Sequence, residues 1–118
     1  MKEKVEKELD RLVDIGILKP IKYSNWASPM VPVEKPSGDV RICVDFKVTV
    51  NKYVQCPDYP LPRVEDLFVR LNGGKKFTKI DLSEAYQQVE LSENSRQYVT
   101  ISTHKGIYQF TRLPYDIR

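Results

Sequence analysis

The sequence predicts an α+β fold in which helices precede antiparallel β-hairpins. Three observations lead to this prediction. An amphipathic helical pattern opens the chain, alternating strand patterns follow it, and turn-forming Gly and Pro residues separate the segments. With 118 residues and an apolar fraction of 41%, the chain has the size and composition of one globular domain.

The first predicted element is a helix at the start of the chain. Val5, Leu9, Leu12 and Val13 recur at i, i+4, i+7 and i+8, which places them on one helical face. Gly16 is the predicted stop, because glycine readily adopts the left-handed conformation that ends many helices.

Two strands joined by a Pro-Ser-Gly-Asp turn are predicted from MVPVEKPSGDVRICVDF. Apolar and polar residues alternate along the second strand, so its two faces differ. The side chains predicted to face the core are Val40, Ile42, Val44 and Phe46. Arg41, Asp45 and Lys47 share the other face, and on alternation alone simple solvation explains them best.

The second half of the chain predicts one more helix and further strands. After the proline-rich loop CPDYPLPR, Val64, Leu67, Phe68 and Leu71 have helical spacing, and the helix is expected to close at Gly73-Gly74. The segments predicted as strands are FTKIDL, QQVEL, YVTIST and IYQFTRL, separated by turns at SENSRQ and HKG.

Composition restricts the function classes only loosely. Nineteen basic against sixteen acidic residues give a net charge of +3, which is compatible with a polyanionic partner and diagnostic of none. Cys43 and Cys56 lack metal-ligand spacing and are expected to be free thiols, and His104 is expected to be a solvated turn residue. The charged N-terminus and the lack of a long apolar run predict a soluble, intracellular protein without membrane contact, in either the cytoplasm or the nucleus.

The stretch KFTKIDLSEAYQQVEL places Asp81 at the end of a predicted strand. A carboxylate on a rigid element suits Mg²⁺, which prefers hard oxygen ligands. A two-metal phosphoryl-transfer site, however, needs carboxylates from more than one strand. The pattern Asp81-Leu82-Ser83-Glu84 also fits the start of a helix, and by spacing alone the helix cap is the better interpretation.

Six segments in order resemble the reverse transcriptases of gypsy-type long-terminal-repeat retrotransposons. They are the leading helix with GILKP, SNWASPMVPVEKPSG, VRICVDFKVTVNK, DYPLPRVEDLF, LNGGKKFTKIDLSEAYQQV and THKGIYQFTRLP. Together they cover essentially the whole chain. The resemblance implies the fingers and first palm strand of a right-hand polymerase fold, in incomplete form. It assigns residues 1–56 to the first fingers segment, residues 57–89 to the start of the palm and residues 90–118 to the second fingers segment.

The resemblance also implies the centre of a catalytic site. Asp81 resembles the family's first metal-binding aspartate, and the backbone carbonyl of Leu82 supplies a further oxygen ligand. The cofactor implied is Mg²⁺, with two ions in the complete enzyme and no tight binding expected in this chain alone. Tyr86 resembles the residue whose ring lies beneath the deoxyribose of the incoming nucleotide and excludes a 2′-hydroxyl.

Three further positions, Arg41, Lys35 and Tyr115, match residues that surround the incoming dNTP, and Asp45 resembles the family's aspartate in the same strand as Arg41. Arg41 resembles the fingers arginine that neutralises the triphosphate, and Tyr115 holds the aromatic position of the family's Leu-Pro-aromatic-Gly motif. Lys35 matches a neighbouring lysine, although one residue of slippage in the turn would move that role to Glu34. Asp45 is interpreted as an orienting partner on the polar face of its strand.

The sequence departs from the family pattern in two respects. Asp116 replaces a glycine, which removes backbone freedom if that position requires a positive φ. The second catalytic motif carries two adjacent aspartates, and no Asp-Asp pair occurs in the 118 residues. The isolated chain is therefore expected not to polymerise DNA.

The resemblance thus implies part of an RNA-directed DNA polymerase whose partners are an RNA or DNA template-primer, dNTPs and the remainder of the polymerase chain. The alternative is a non-enzymatic remnant that interacts weakly with nucleic acid or protein. A free-standing α+β interaction domain, in which Asp81 is only a cap, would require all six matches to be accidental.

Overall fold

A computed structural model of the chain describes residues 1–55, 59–115 and 117. The helices are α1 (Lys2–Asp14), α2 (Val64–Leu71) and the single-turn α3 (Glu93–Arg96). The strands are β1 (Leu18–Ile21), β2 (Ala27–Glu34), β3 (Val40–Val44), β4 (Thr100–Thr103) and β5 (Gly106–Phe110). Short 3₁₀ helices cover Phe46–Val48, Val50–Lys52 and Ala85–Gln88. The α+β class predicted from the sequence is confirmed.

The five described strands form one mixed sheet in the order β1-β5-β4-β2-β3. The hairpins β2–β3 and β4–β5 are antiparallel, as the sequence predicts. The pair β2–β4 is parallel, with Ala27 opposite Thr100. This parallel pair was not predicted, since its strands lie far apart in the sequence and no local turn signal connects them.

The core lies between α1 and the sheet. Val5, Leu9 and Leu12 of α1 are buried, which confirms the helical pattern. On β3 the burial alternates, with Val40, Ile42 and Val44 inside, and Phe46 follows them into the core. Gly16 has φ +83°, consistent with its predicted role as the helix stop.

Strand β1 was not predicted, because it is short and contains Pro20. A proline is tolerated here since β1 lies at the edge of the sheet and pairs only with β5. It extends the β4–β5 hairpin, with Leu18 opposite Phe110.

Two predicted strands are wrong. FTKIDL has no regular secondary structure, and Ile80 within it is 81% exposed. An extended segment becomes a strand only when a neighbour accepts its backbone hydrogen bonds, and no described strand lies beside this one. In QQVEL, a 3₁₀ helix over Ala85–Gln88 is followed by a single antiparallel bridge between Glu90 and Arg112.

The chain is elongated, because residues 59–88 form a projecting segment outside the core. Its α2 has no buried residue, although the helix occupies the predicted positions. The Cα radius of gyration is 17.8 Å, whereas a compact domain of this length has about 13 Å. No helix in the described ranges is long and apolar enough to cross a bilayer.

Candidate functional site

Three of the side chains singled out in the sequence form one contact cluster. The guanidinium carbon of Arg41 lies 4.9 Å from the ring centroid of Tyr115, which is within the range of a cation–π contact. The rings of Tyr115 and Tyr86 meet at a centroid distance of 5.3 Å and an interplanar angle of 64°. Residues from three separate parts of the chain therefore meet at one place.

Local structure explains how each of the three is presented. Arg41 is exposed because it lies on the outer face of β3, between the buried Val40 and Ile42. Tyr86 belongs to the 3₁₀ helix Ala85–Gln88 and is 45% exposed. Tyr115 follows the buried Pro114 and is itself half-buried. The cluster lies at the surface, where a ligand could reach it.

Glu84 completes the cluster, and sequence reasoning missed it. The hydroxyl of Tyr115 donates a hydrogen bond to the Glu84 carboxylate. The only signal was the Asp-x-x-Glu pattern, which pointed to a capping role for Asp81. Instead, Glu84 itself precedes the 3₁₀ helix, and its φ of 50° and ψ of 51° place it in the left-handed region. The helix-cap interpretation of Asp81 is therefore wrong.

The environment of Tyr115 keeps its phenol protonated. Burial, the hydrogen bond to Glu84 and the charge of that carboxylate together raise the pKa of Tyr115 to about 12, while the charge of Arg41 opposes them. At neutral pH the phenol is therefore a hydrogen-bond donor and carries no charge.

An open cleft of about 390 Å³ lies beside the cluster. It is lined by Val31, Arg41, Cys43, Val44, Asp45, Lys47 and Tyr115. Asp45 accepts a hydrogen bond from the backbone N–H of Lys47 at 3.1 Å, so its carboxylate caps the 3₁₀ helix that follows β3. This contact gives Asp45 a structural partner, and Cys43 is a partly exposed free thiol.

Lys35 lies in the turn between β2 and β3 and borders a different cleft, of about 590 Å³. The turn is closed by the Lys35 N–H donating to the Asp39 carbonyl at 2.7 Å. The second cleft also contains basic side chains of α1, together with Glu84. Glu84 is thus the residue that connects the surroundings of Lys35 with the Arg41–Tyr115–Tyr86 cluster.

Asp81 and Leu82 lie on the exposed projecting segment, three and two residues before Glu84. A carboxylate and a backbone carbonyl are donors of the kind that Mg²⁺ prefers. Within the described ranges, however, no three His, Cys, Asp or Glu side chains are grouped closely enough to hold a metal ion. The donors present fit part of a magnesium site.

Three other residues singled out in the sequence are His104, Cys56 and Asp116. His104 lies in the β4–β5 turn as predicted, and its Nε2 is 2.9 Å from a carboxylate oxygen of Glu6 on α1. Cys56 and Asp116 lie outside the described residues.

Comparison with known proteins places this architecture in context. No family model matches the chain. An uncharacterised protein of Caenorhabditis elegans is 41% identical over 118 residues, which cover 98% of this chain. The retrovirus-related Pol polyprotein from transposon 412 of Drosophila melanogaster is 33% identical over 98% of this chain, and the transposon Tf2-3 polyprotein of Schizosaccharomyces pombe is 33% identical over 93%. The chain is homologous to a segment of Pol polyproteins.

The chain spans only 8% to 10% of the length of these relatives. Its fold matches that of part of a solved prototype foamy virus protease-reverse transcriptase, with a TM-score of 0.81 over 99% of this chain, 16% of that chain and 24% identity. A foamy viral protease-reverse transcriptase solved in complex with double-stranded DNA aligns with a TM-score of 0.68 over 98% of this chain and 19% of that chain, at 26% identity.

Proposed function

We propose that the chain forms the part of a gypsy-type retrotransposon reverse transcriptase that binds the incoming dNTP. Residues 1–56 and 90–118 would be fingers, and residues 57–89 the start of the palm. The observation that carries the proposal is the meeting of Arg41, Tyr115 and Tyr86 in one surface cluster. The homology to Pol polyproteins supports the same function.

In the proposed reaction the primer 3′-hydroxyl attacks the α-phosphate of a dNTP that is paired with an RNA or DNA template. The Arg41 guanidinium offsets charge on the triphosphate as the bond to pyrophosphate breaks, and Lys35 adds a second positive charge nearby. The ring of Tyr86 forms the wall under the sugar and excludes a 2′-hydroxyl by its bulk. Asp81 and the Leu82 carbonyl would be the chain's ligands for Mg²⁺, and the ion would supply charge stabilisation for phosphoryl transfer.

The chain alone is expected to show no primer extension with Mg²⁺ or Mn²⁺, because one aspartate cannot anchor two metal ions. Extension by the purified 118-residue protein that Asp81→Asn abolishes would contradict this expectation. Binding remains measurable in the chain alone. NMR titration with a dNTP should perturb Arg41, Tyr86 and Tyr115, and Arg41→Ala should weaken the affinity about tenfold.

A chimeric enzyme tests the catalytic role proposed for Asp81. This chain would replace the homologous segment of the foamy virus protease-reverse transcriptase, and primer extension would be measured with Mg²⁺. Asp81→Asn is expected to lower the rate by about a thousandfold or more. Asp66→Asn, which neutralises an exposed carboxylate in the first turn of α2, is the matched control and should leave the rate unchanged. An active graft that tolerates Asp81→Asn would refute the catalytic assignment.

A further inference from the structure

The backbone conformation of Glu84 is unusual in this chain. Among the described residues it is the one non-glycine residue with a positive φ, at 50°. Left-handed conformations are costly for residues with a Cβ and persist only where the surrounding structure holds them. Glu84 lies in a turn on the exposed projecting segment, just before a 3₁₀ helix.

The Glu84 side chain contacts a distant part of the chain. Its carboxylate accepts the hydrogen bond of the Tyr115 hydroxyl, 31 residues further along. This bond ties the segment that carries Asp81 and Tyr86 to the C-terminal part of the chain. The Tyr115 ring is then fixed on two sides, against the Tyr86 ring at 5.3 Å and under the Arg41 guanidinium at 4.9 Å.

Each member of the pair also lines one of the two clefts. Glu84 lines the 590 Å³ cleft that contains Lys35, whereas Tyr115 lines the 390 Å³ cleft that contains Arg41 and Cys43. The charges acting on Tyr115 are those of Glu84 and Arg41, and the Glu84 carboxylate also acts on Arg11 of α1. The hydrogen bond therefore joins a residue of one cleft to a residue of the other.

From this geometry we infer that Glu84 is a positioning residue for sugar discrimination, acting through its hydrogen bond to Tyr115. Tyr86 lies two residues after Glu84, and its ring packs on the Tyr115 ring. Glu84 therefore positions Tyr86 in two ways: through the backbone that leads to it, and through the Tyr115 ring that Glu84 binds. The inference rests on the proposed function, because it assigns Tyr86 to the sugar of an incoming nucleotide.

The test uses the full 118-residue chain with ¹³C-labelled tyrosine rings. Two quantities are measured by NMR at pH 7: the ring shifts of Tyr86 and Tyr115, and the ratio of the dissociation constants for GTP and dGTP. Glu84→Ala and Tyr115→Phe each remove the hydrogen bond. Both should move the Tyr86 ring resonances and reduce the preference for dGTP by about fivefold.

Glu84→Gln separates the hydrogen bond from the charge. The amide oxygen can still accept from the Tyr115 hydroxyl, so this variant should largely restore the Tyr86 shifts and the preference for dGTP. Glu93→Gln and Tyr23→Phe are the matched controls, since they change an exposed carboxylate of α3 and the exposed phenol that donates to Asn25. Neither control should change the two readouts.

The two hypotheses fail in different ways. If the wild-type chain binds dGTP and GTP equally, or binds neither, the nucleotide assignment of Tyr86 fails, and the inference about discrimination fails with it. If the preference for dGTP is present but Tyr115→Phe and Glu84→Ala leave it and the Tyr86 shifts unchanged, the positioning role alone is overturned. Circular dichroism melting of each variant identifies any loss of signal that is due to unfolding.

Discussion

Two regions of the molecule differ in burial: α1 with the sheet forms the core, whereas residues 59–88 form the exposed projecting segment. The helix in each region was predicted from an equally clear pattern of apolar residues. Val5, Leu9 and Leu12 of α1 are buried, whereas α2 has no buried residue and its Phe68 is 67% exposed. The periodicity of apolar residues determines which face of a helix is apolar. Burial of that face requires a partner element, and α1 finds one in β3 and β1, while no described element covers α2.

Limited proteolysis should show the largest difference between the two regions. Trypsin is expected to cut after Arg63, Lys75 or Lys79 at least about tenfold faster than after Arg11 in α1, because a segment without buried contacts opens at little free-energy cost. A time course followed by mass spectrometry measures both rates. Equal rates would mean that the projecting segment is as well packed in solution as the sheet.

A matched pair of leucine substitutions should give the next largest effect. Leu9 is fully buried and Leu67 is 42% exposed. Leu9→Ala is expected to lower the free energy of unfolding by about 3 kcal/mol, and Leu67→Ala by less than about 1 kcal/mol. Urea denaturation of the two variants provides the comparison. Similar losses would show that α2 packs against the rest of the chain.

Alanine substitutions of two glycines, one after α1 and one in the projecting segment, compare the two regions at the level of the backbone. Gly16 has φ +83° in the tight connection after α1, so Gly16→Ala should cost about 1 kcal/mol. At Gly74, a Cβ would lie 2.8 Å from the Phe77 ring. Phe77 is 65% exposed and its ring can move away, so Gly74→Ala should cost less than about 0.5 kcal/mol. The difference between their urea midpoints measures this contrast, and a larger loss at Gly74 would contradict it.

The smallest predicted effect concerns Tyr115, which joins the two regions. Its pKa is raised to about 12 from 10.0, mainly by burial and then by Glu84. The folded state therefore disfavours the ionised phenol. This contribution to stability is complete below pH 10 and is lost as the pH rises from 10 towards 12. Because Tyr115 is partly solvated, the loss should be about 0.5 kcal/mol.

Urea unfolding of the wild type and of Tyr115→Phe at pH 8, 10 and 11 measures how much the ionisation of Tyr115 changes the free energy of unfolding. The wild type should lose stability relative to the variant over that range, since only the wild type carries the Tyr115 phenol. Tyr23→Phe is the control, because Tyr23 is 76% exposed. A constant difference between the wild type and Tyr115→Phe at all three pH values would contradict the shifted pKa.

Local patterns predicted the elements that are stabilised by nearby residues. The helical spacing of Val5, Leu9 and Leu12 and the alternation through Val40 to Phe46 correspond to buried faces in the structure. The parallel pairing of Ala27 with Thr100 and the lack of a partner beside Ile80 were not predicted. Both depend on which segments are adjacent in space, which no short window of sequence contains.

For the candidate site, too, some features were predictable from the sequence and others depend on the tertiary structure. The alternation along β3 places Arg41 on an exposed face, and the resemblance to reverse transcriptases singles out Arg41, Tyr86 and Tyr115 together. Their meeting depends on the chain path, and so does the Tyr115–Glu84 hydrogen bond. Glu84 was missed because an acidic residue three positions after Asp81 is also typical of a helix start.

The sequence by itself determined α1, α2, the hairpins β2–β3 and β4–β5, the buried face of β3 and the segment homologous to Pol polyproteins, because each depends on residue types at fixed local spacing. Tertiary structure alone decided that Glu84 adopts a left-handed conformation with its carboxylate on Tyr115, and that no described strand pairs with the stretch around Asp81. The physical reason is that hydrogen bonds and burial are shared between segments. A residue's final conformation therefore depends on partners that lie far away in the sequence.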